Sequence, residues 1–157
     1  MSYEELLMEA DSQGLLVKEV DLQYSDGRCY GERIAIRKDI PTLREKADVL
    51  AEEMGHYYTS VGRIVEQNTI ESRRQERAAR LWGYEKRIGL FGLVRAYNAH
   101  CKTLYDMAEY LDVSEEFLRE ALECYRQIYG TGVTYDNKYM IQFEPNLQVH
   151  TMMFSIE

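Results

Sequence analysis

The stretch LAEEMGHYYTSVG, residues 50–62, determines how the rest of the chain is interpreted. It contains His56, one of three histidines, and glutamates stand four and three residues before it, at Glu52 and Glu53. Residues four apart share one face of an α-helix. Zinc-binding helices with the pattern HExxH use that spacing for two ligands, and the glutamate after the first ligand serves as a base. In this chain the pattern is EExxH, with a carboxylate in the first ligand position.

Spacing alone leaves two interpretations of this stretch open. Its helix is predicted to begin near Pro41, with either Asp39 or Thr42 as the N-cap. The apolar stripe of that helix comprises Leu43, Ala47, Leu50, Met54, Tyr57 and Val61. Glu52 and His56 fall on the opposite face, which argues against a histidine buried in the core. They are either an exposed pair that adds a few tenths of a kcal/mol to helix stability, or ligands of a metal.

Composition limits the classes of protein to consider. A chain of 157 residues, 45% apolar and 29% charged, has the size and make-up of one globular domain. We expect a single domain over residues 1–157, with a metal-site core (1–88), a helical segment (89–130) and a strand-pair tail (131–157). The net charge of −8 disfavours direct binding to nucleic acid. No apolar run reaches the roughly 18 residues of a membrane span, and the first residues lack signal-peptide features, so we expect a cytoplasmic protein without membrane contact.

The flanking segments predict an α+β fold. Ser2 and Glu5 form a capping box at the start of a short helix, and LLVKEVDL and CYGERIAIR are extended segments of a small sheet. RIVEQNTIES shows no clear period and is predicted to be a mobile connection. Further helices are predicted over LFGLVRAYNAH, TLYDMAEYL and SEEFLREALECYRQIYG, and a strand pair over KYMIQFEP and LQVHTMMF. We therefore expect a small N-terminal sheet packed on a zincin-like metal helix, then a helical region and a C-terminal strand pair.

A second helix, predicted from about Ile70 to Ile88, offers another metal-binding side chain. One of its faces carries Ser72, Glu76, Ala79 and Gly83, and its predicted apolar side carries Ile70, Ala78, Leu81 and Ile88. Small residues beside a glutamate allow another backbone to approach, which suits a metal shared between two helices. The alternative is tight helix packing with Glu76 in solvent. The arginines of ESRRQERAAR are interpreted as a charged helix face.

Taken together, these segments resemble the ImmA/IrrE family of metallopeptidases, particularly its short phage and mobile-element members. The resemblance is carried by VLAEEMGHYYTSVG, RRQERAARLWGYEKRI and DMAEYLDVSEEFLREAL, and by the order of the N-terminal helix and strands. It covers most of the chain. It implies a metal-dependent endopeptidase that cleaves a helix–turn–helix repressor protein.

The resemblance also assigns roles to individual residues. His56 matches the second histidine ligand, Glu53 the catalytic base and Glu76 the downstream glutamate ligand. Glu52 stands where the family usually has its first histidine. Two carboxylates and one histidine nearly neutralise a zinc ion, which makes it a weaker Lewis acid and admits manganese or iron. Candidates for an oxyanion-stabilising residue are Tyr57, Tyr58, His100 and His150.

A rival interpretation comes from the segment TLYDMAEYLDVSEEFLREALECYRQ, which resembles a helix–turn–helix with its turn at residues 112–114. Its second helix presents four glutamates, at Glu115, Glu116, Glu120 and Glu123, and an acidic face is repelled by DNA phosphates. We therefore interpret it as a structural packing unit. The non-enzymatic alternative for the whole chain is a catalytically degenerate member that binds a repressor or other regulatory protein without cleaving it.

Overall fold

The computed structural model describes residues 1–60 and 70–152, so most of the predicted connection RIVEQNTIES lies outside the described residues. The observed fold is α+β, as predicted. Its helices are α1 (Tyr3–Ser12), α2 (Leu43–Thr59), α3 (Ile70–Arg87), α4 (Gly89–Asn98), α5 (Leu104–Leu111) and α6 (Glu115–Tyr129). Its strands are β1 (Leu16–Val20), β2 (Gly27–Tyr30), β3 (Arg33–Arg37), β4 (Gly132–Tyr135), β5 (Tyr139–Gln142) and β6 (Gln148–Thr151).

Side-chain caps begin the helices where the sequence predicts them. Ser2 and Glu5 form the complete capping box of α1, and Ser114 Oγ accepts a hydrogen bond from the third amide of α6. Of the two alternatives for α2, Thr42 is the N-cap, because its hydroxyl accepts from the Glu45 amide at 3.1 Å. A cap satisfies backbone donors that have no partner within the helix.

The N-terminal sheet has the order β1–β3–β2, with β1 parallel and β2 antiparallel to β3. The segment CYGERIAIR, predicted as one extended stretch, spans a hairpin instead. The chain turns at Gly31, whose φ of +57° is a conformation that glycine adopts without strain. Ile34 and Ile36 of β3 face the core, so their predicted alternation is confirmed.

The C-terminal sheet contains three antiparallel strands, in the order β4–β5–β6, where the sequence predicted a pair. The additional strand is β4. A Cβ at Gly132 would lie 2.8 Å from the Ile141 carbonyl oxygen, so the first residue of β4 approaches β5 as only glycine can. Because β4 has only four residues, it is too short for alternation in the sequence to indicate it.

The apolar side chains form two cores. The first joins α1, the N-terminal sheet and α2, and the second joins α4, α5, α6 and the C-terminal sheet with the end of α3. Ala47, Leu50 and Met54 are fully buried, as the predicted stripe of α2 requires, whereas Leu43 at its start is exposed. No helix of the described residues is long and apolar enough to cross a membrane.

A buried ion pair connects the two cores. Arg87 on α3, whose side chain is fully buried, donates to Asp48 Oδ1 on α2 and to the carbonyl oxygens of Met1 and Asp112. Asp48 Oδ2 accepts from the Ser114 amide at 3.0 Å. Burial raises the pKa of Asp48 to about 6, against the opposing effect of Arg87. The turn between α5 and α6 is thereby attached to α2.

Candidate metal centre

Three side chains that can bind a metal meet where α2 packs on α3. Glu52 and His56 lie one turn apart on α2, and Glu76 approaches them from α3. One possible ligand atom of each lies within 4.8 Å of the other two. The structure therefore brings together the three residues that the sequence predicted as ligands.

This convergence depends on a close approach of the two helices. A Cβ at Gly55 would lie only 2.2 Å from the Ala79 carbonyl oxygen, and a Cβ at Gly83 would lie 3.2 Å from the Glu52 amide nitrogen. The predicted small-residue face of α3 is thus the contact face. The predicted apolar side is correct only in part, because Ala78 and Ile70 are exposed.

The three side chains are half-buried and remain accessible from solvent. The exposed fractions of the His56, Glu52 and Glu76 side chains are 26%, 35% and 41%. His56 Nε2 lies 3.2 Å from Glu76 Oε2. Glu52 and His56 lie opposite the buried stripe of α2, as predicted, and α3 covers that face in part, so the residues join two helices.

Burial and like charge both act on the Glu52 carboxyl group. Burial raises its pKa to about 7, a hydrogen bond with Glu76 adds to that rise, and Arg80 opposes it. Two carboxylates held this close repel each other unless a proton or a cation lies between them. A divalent cation would provide that compensation.

Glu53, the residue after Glu52 on α2, packs against β2 of the N-terminal sheet. The residue is buried, and a Cβ at Gly27 of β2 would lie 2.9 Å from Glu53 Cγ. Burial, followed by the charges of Glu52 and Glu76, raises the pKa of Glu53 to about 8. The charge of Glu53 also reaches Cys29 of β2, whose pKa is raised to about 11, mainly by burial. Glu53 is thus separate from the ligand cluster but electrostatically linked to it.

Arg80 is part of the site, although its place in ESRRQERAAR predicted only a charged helix face. Its Nε lies 3.1 Å from Glu76 Oε1 and 3.5 Å from Glu52 Oε1. The four-residue spacing of Glu76 and Arg80 places them one helical turn apart, and this spacing could have indicated their ion pair. What the sequence did not reveal is that the same guanidinium reaches across to α2.

The donor set fits a divalent metal. One imidazole nitrogen and two carboxylate oxygens are ligands that zinc accepts, and manganese and iron also accept them. Three protein ligands leave a coordination position for water or substrate, as in catalytic zinc sites. Arg80 adds one positive charge, so this set carries the same net charge as two histidines and one glutamate. The expectation of a nearly neutral metal centre omitted that arginine.

The candidates for oxyanion stabilisation lie outside the ligand cluster. Tyr58 stacks on Trp82 with ring centroids 5.0 Å apart, and Tyr57 packs edge-on against Tyr58. His100 follows α4 and His150 lies on β6. Among the described residues, Arg80 is therefore the cationic donor nearest to the ligands.

Comparison with protein-family models, curated proteins and solved structures gives no match for this chain. The resemblance to the ImmA/IrrE family stays a prediction that rests on the motifs and on their order. The arrangement of Glu52, His56, Glu76 and Arg80 is an independent structural observation. Functional inference therefore starts from that geometry.

Proposed function

We propose that this chain is a metal-dependent endopeptidase of the ImmA/IrrE type, cleaving a helix–turn–helix repressor in phage or mobile-element regulation. The observation that carries the proposal is the convergence of Glu52, His56 and Glu76 to within 4.8 Å. They are the side chains that would hold the metal, which we propose to be zinc, with manganese or iron as substitutes. Glu53 follows the first ligand, in the position of a catalytic base.

A bound divalent ion would supply Lewis acidity at the scissile carbonyl group and make the attacking water more acidic. In this proposal the carboxylate of Glu53 would accept a proton from that water as the water oxygen bonds to the carbonyl carbon, and it would return the proton to the amide nitrogen as the C–N bond breaks. Burial raises the pKa of Glu53, and the charges of Glu52 and Glu76 add to that rise; a cation held by those two carboxylates would offset their contribution and favour the charged form of Glu53 that a base requires.

Arg80 has a supporting role in this proposal. By pairing with Glu76 and Glu52, it offsets the additional negative charge that a glutamate brings in place of histidine. Its guanidinium is always charged and half-exposed, with 54% of the side chain accessible. Arg80 can therefore also donate to the carbonyl oxygen of a substrate, on which negative charge develops during attack.

The proposed partner is a basic, DNA-binding repressor, and the proposed location is the cytoplasm. A net charge of −8 attracts a basic protein and repels DNA. In α6, Arg119 pairs with Glu115, and Arg126 pairs with Glu123, so few free cations remain on this acidic helix for phosphate contacts. The proposal therefore includes no direct binding to nucleic acid.

One observation favours the non-enzymatic alternative. The ion pairs of Arg80 and His56 with Glu76 satisfy the cluster partly without a metal. A degenerate member would use this cluster as a helix-to-helix contact and bind its repressor without cutting it. Metal content and cleavage distinguish the two functions.

The test incubates the purified protein and zinc or manganese with a helix–turn–helix repressor, which we expect to be encoded beside this chain. Wild-type protein should produce two repressor fragments. Glu53→Gln should bind the metal and the repressor equally well and produce none, because the amide cannot accept the proton. Cleavage by Glu53→Gln at the wild-type rate would contradict the mechanism, and tight binding without cleavage by either protein would establish the alternative.

A further inference from the structure

A cleft of about 770 Å³ lies between α3 and α6 and opens beside the candidate metal centre. Glu76 and Arg80 line it and also belong to the ligand cluster described above. A volume in this range holds several amino-acid side chains. A group bound in the cleft would therefore lie next to any metal held by Glu76.

The acidic side chains that line this cleft are already engaged by neighbouring donors. Their partners are His56 and Arg80 for Glu76, the Tyr84 hydroxyl for Glu120, and Arg126 with Gln127 for Glu123. Glu76 and Glu123 are thus paired with cationic side chains, whereas in the described part of the chain Glu120 meets only the neutral Tyr84 hydroxyl and keeps its negative charge.

Two arginines of the same cleft are in the opposite situation. Arg73 and Arg77 are exposed and line the cleft, and within residues 1–60 and 70–152 neither pairs with a carboxylate. Arg77 instead lies beside the Cys124 thiol on α6, where its charge opposes the rise in the pKa of Cys124 that burial causes. These two guanidinium groups outweigh the Glu120 carboxylate, so the net uncompensated charge of the cleft is positive, although the chain as a whole carries −8.

We infer that this cleft binds an acidic side chain, aspartate or glutamate, of the peptide substrate near its scissile bond. A guanidinium pairs with a carboxylate through two parallel hydrogen bonds, which gives both affinity and orientation. Tyr84 and Cys124 line the interior and provide an apolar contact for the methylene groups of that side chain. This inference rests on the proposed peptidase function, for which it names the substrate class.

An extended polyanion fits the cleft less well than one carboxylate does. The uncompensated charge of Glu120 on the α6 side repels a chain of phosphates that spans the cleft, whereas a single carboxylate can bind at the α3 side. The same geometry therefore favours a peptide over a nucleic acid.

The test compares two synthetic peptides, Ac-Ala-Ala-Glu-Ala-Ala-NH2 and its counterpart with glutamine in the middle. Each is titrated into the metal-free full chain, and binding is followed by NMR through the Nε–H signals of the arginines. The glutamate peptide should bind about tenfold more tightly than the glutamine peptide, as expected for charge-assisted hydrogen bonds. The double variant Arg73→Gln/Arg77→Gln should remove that difference.

Arg74→Gln is the matched control, because Arg74 is also exposed on α3 but does not line the cleft. It should keep the tenfold preference, and circular dichroism should show that all variants retain the fold. Equal affinity of both peptides for wild-type protein, or equal loss of preference in the Arg74 variant, would overturn the inference. So would binding of duplex DNA that depends on Arg73 and Arg77 without any preference between the peptides. The titration needs neither metal nor cleavage. A protein that does not cleave the repressor and a protein that does not prefer the glutamate peptide are therefore distinguishable results.

Discussion

Replacing Gly55 with alanine perturbs the contact that brings the candidate ligands together. The added Cβ would lie 2.2 Å from the Ala79 carbonyl oxygen, where ordinary contacts are about 3.5 Å. Since that oxygen belongs to the backbone of α3, no side-chain rotation relieves the clash. The helices must therefore separate by roughly 1 Å, which moves Glu76 away from Glu52 and His56.

The energetic effect follows from two opposing contributions. In an exposed helix, glycine to alanine stabilises by about 1 kcal/mol, whereas overpacking of a close contact costs about 1–3 kcal/mol. The difference of these contributions is a loss of up to about 2 kcal/mol, so we expect Gly55→Ala to lower the free energy of unfolding by that amount despite its better helix propensity. Because metal sites tolerate displacements of only about 0.2–0.5 Å, zinc affinity should fall roughly tenfold or more.

Urea denaturation followed by circular dichroism measures the first quantity, and competition with a chromophoric chelator measures the second. Gly83→Ala is the graded control, because its Cβ would lie 3.2 Å from the Glu52 amide nitrogen and requires a much smaller shift. We expect Gly55→Ala to lower both the free energy of unfolding and the zinc affinity much more than Gly83→Ala does. A Gly55→Ala protein that is more stable than wild type and binds zinc equally well would refute the role assigned to this contact.

Three further predictions follow from the charges. Burial raises the pKa of Asp48 from 3.8 to about 6, so the native state holds this proton more tightly than the unfolded state does. The free energy of unfolding should therefore fall by up to about 3 kcal/mol as pH rises from about 4 to about 6. Asp48→Asn should remove this part of the pH dependence in urea titrations at about pH 4 to 7. Arg80→Met should tighten zinc binding about fivefold at pH 8 and low salt, by removing a neighbouring cation, while slowing peptide hydrolysis; weaker zinc binding in chelator competition would contradict this. Association with the repressor should slow as salt rises, and a stopped-flow rate independent of salt would exclude electrostatic attraction.

Features of the fold that depend on neighbouring residues could be predicted from the sequence. The caps at Ser2, Thr42 and Ser114 are local hydrogen bonds, and the buried stripe of α2 follows from helical spacing. The hairpin at Gly31 and the strand β4 were missed, because strand pairing depends on residues that are not adjacent in sequence. Leu43 was assigned to the core by its spacing, but its side chain at the start of α2 is exposed.

The candidate site divides in the same way. The spacing of Glu52 and His56 is local, and Glu76 was added first from the small-residue face of its helix and then from the resemblance. Arg80 was missed because its second carboxylate lies on another helix. The buried pair of Arg87 with Asp48 was missed for the same reason, because the packing of α3 on α2 supplies the carboxylate that a buried arginine requires.

The content of divalent metal tests the central claim most directly. Protein purified without added metal is dialysed against saturating zinc or manganese, freed of unbound ions and analysed by elemental mass spectrometry. The proposed centre predicts about one ion per chain in wild type and in the control His100→Ala, and loss of that ion in His56→Ala and Glu76→Ala. Wild-type protein without metal at saturating zinc and manganese, or a stoichiometric ion that persists in both ligand variants, would contradict it.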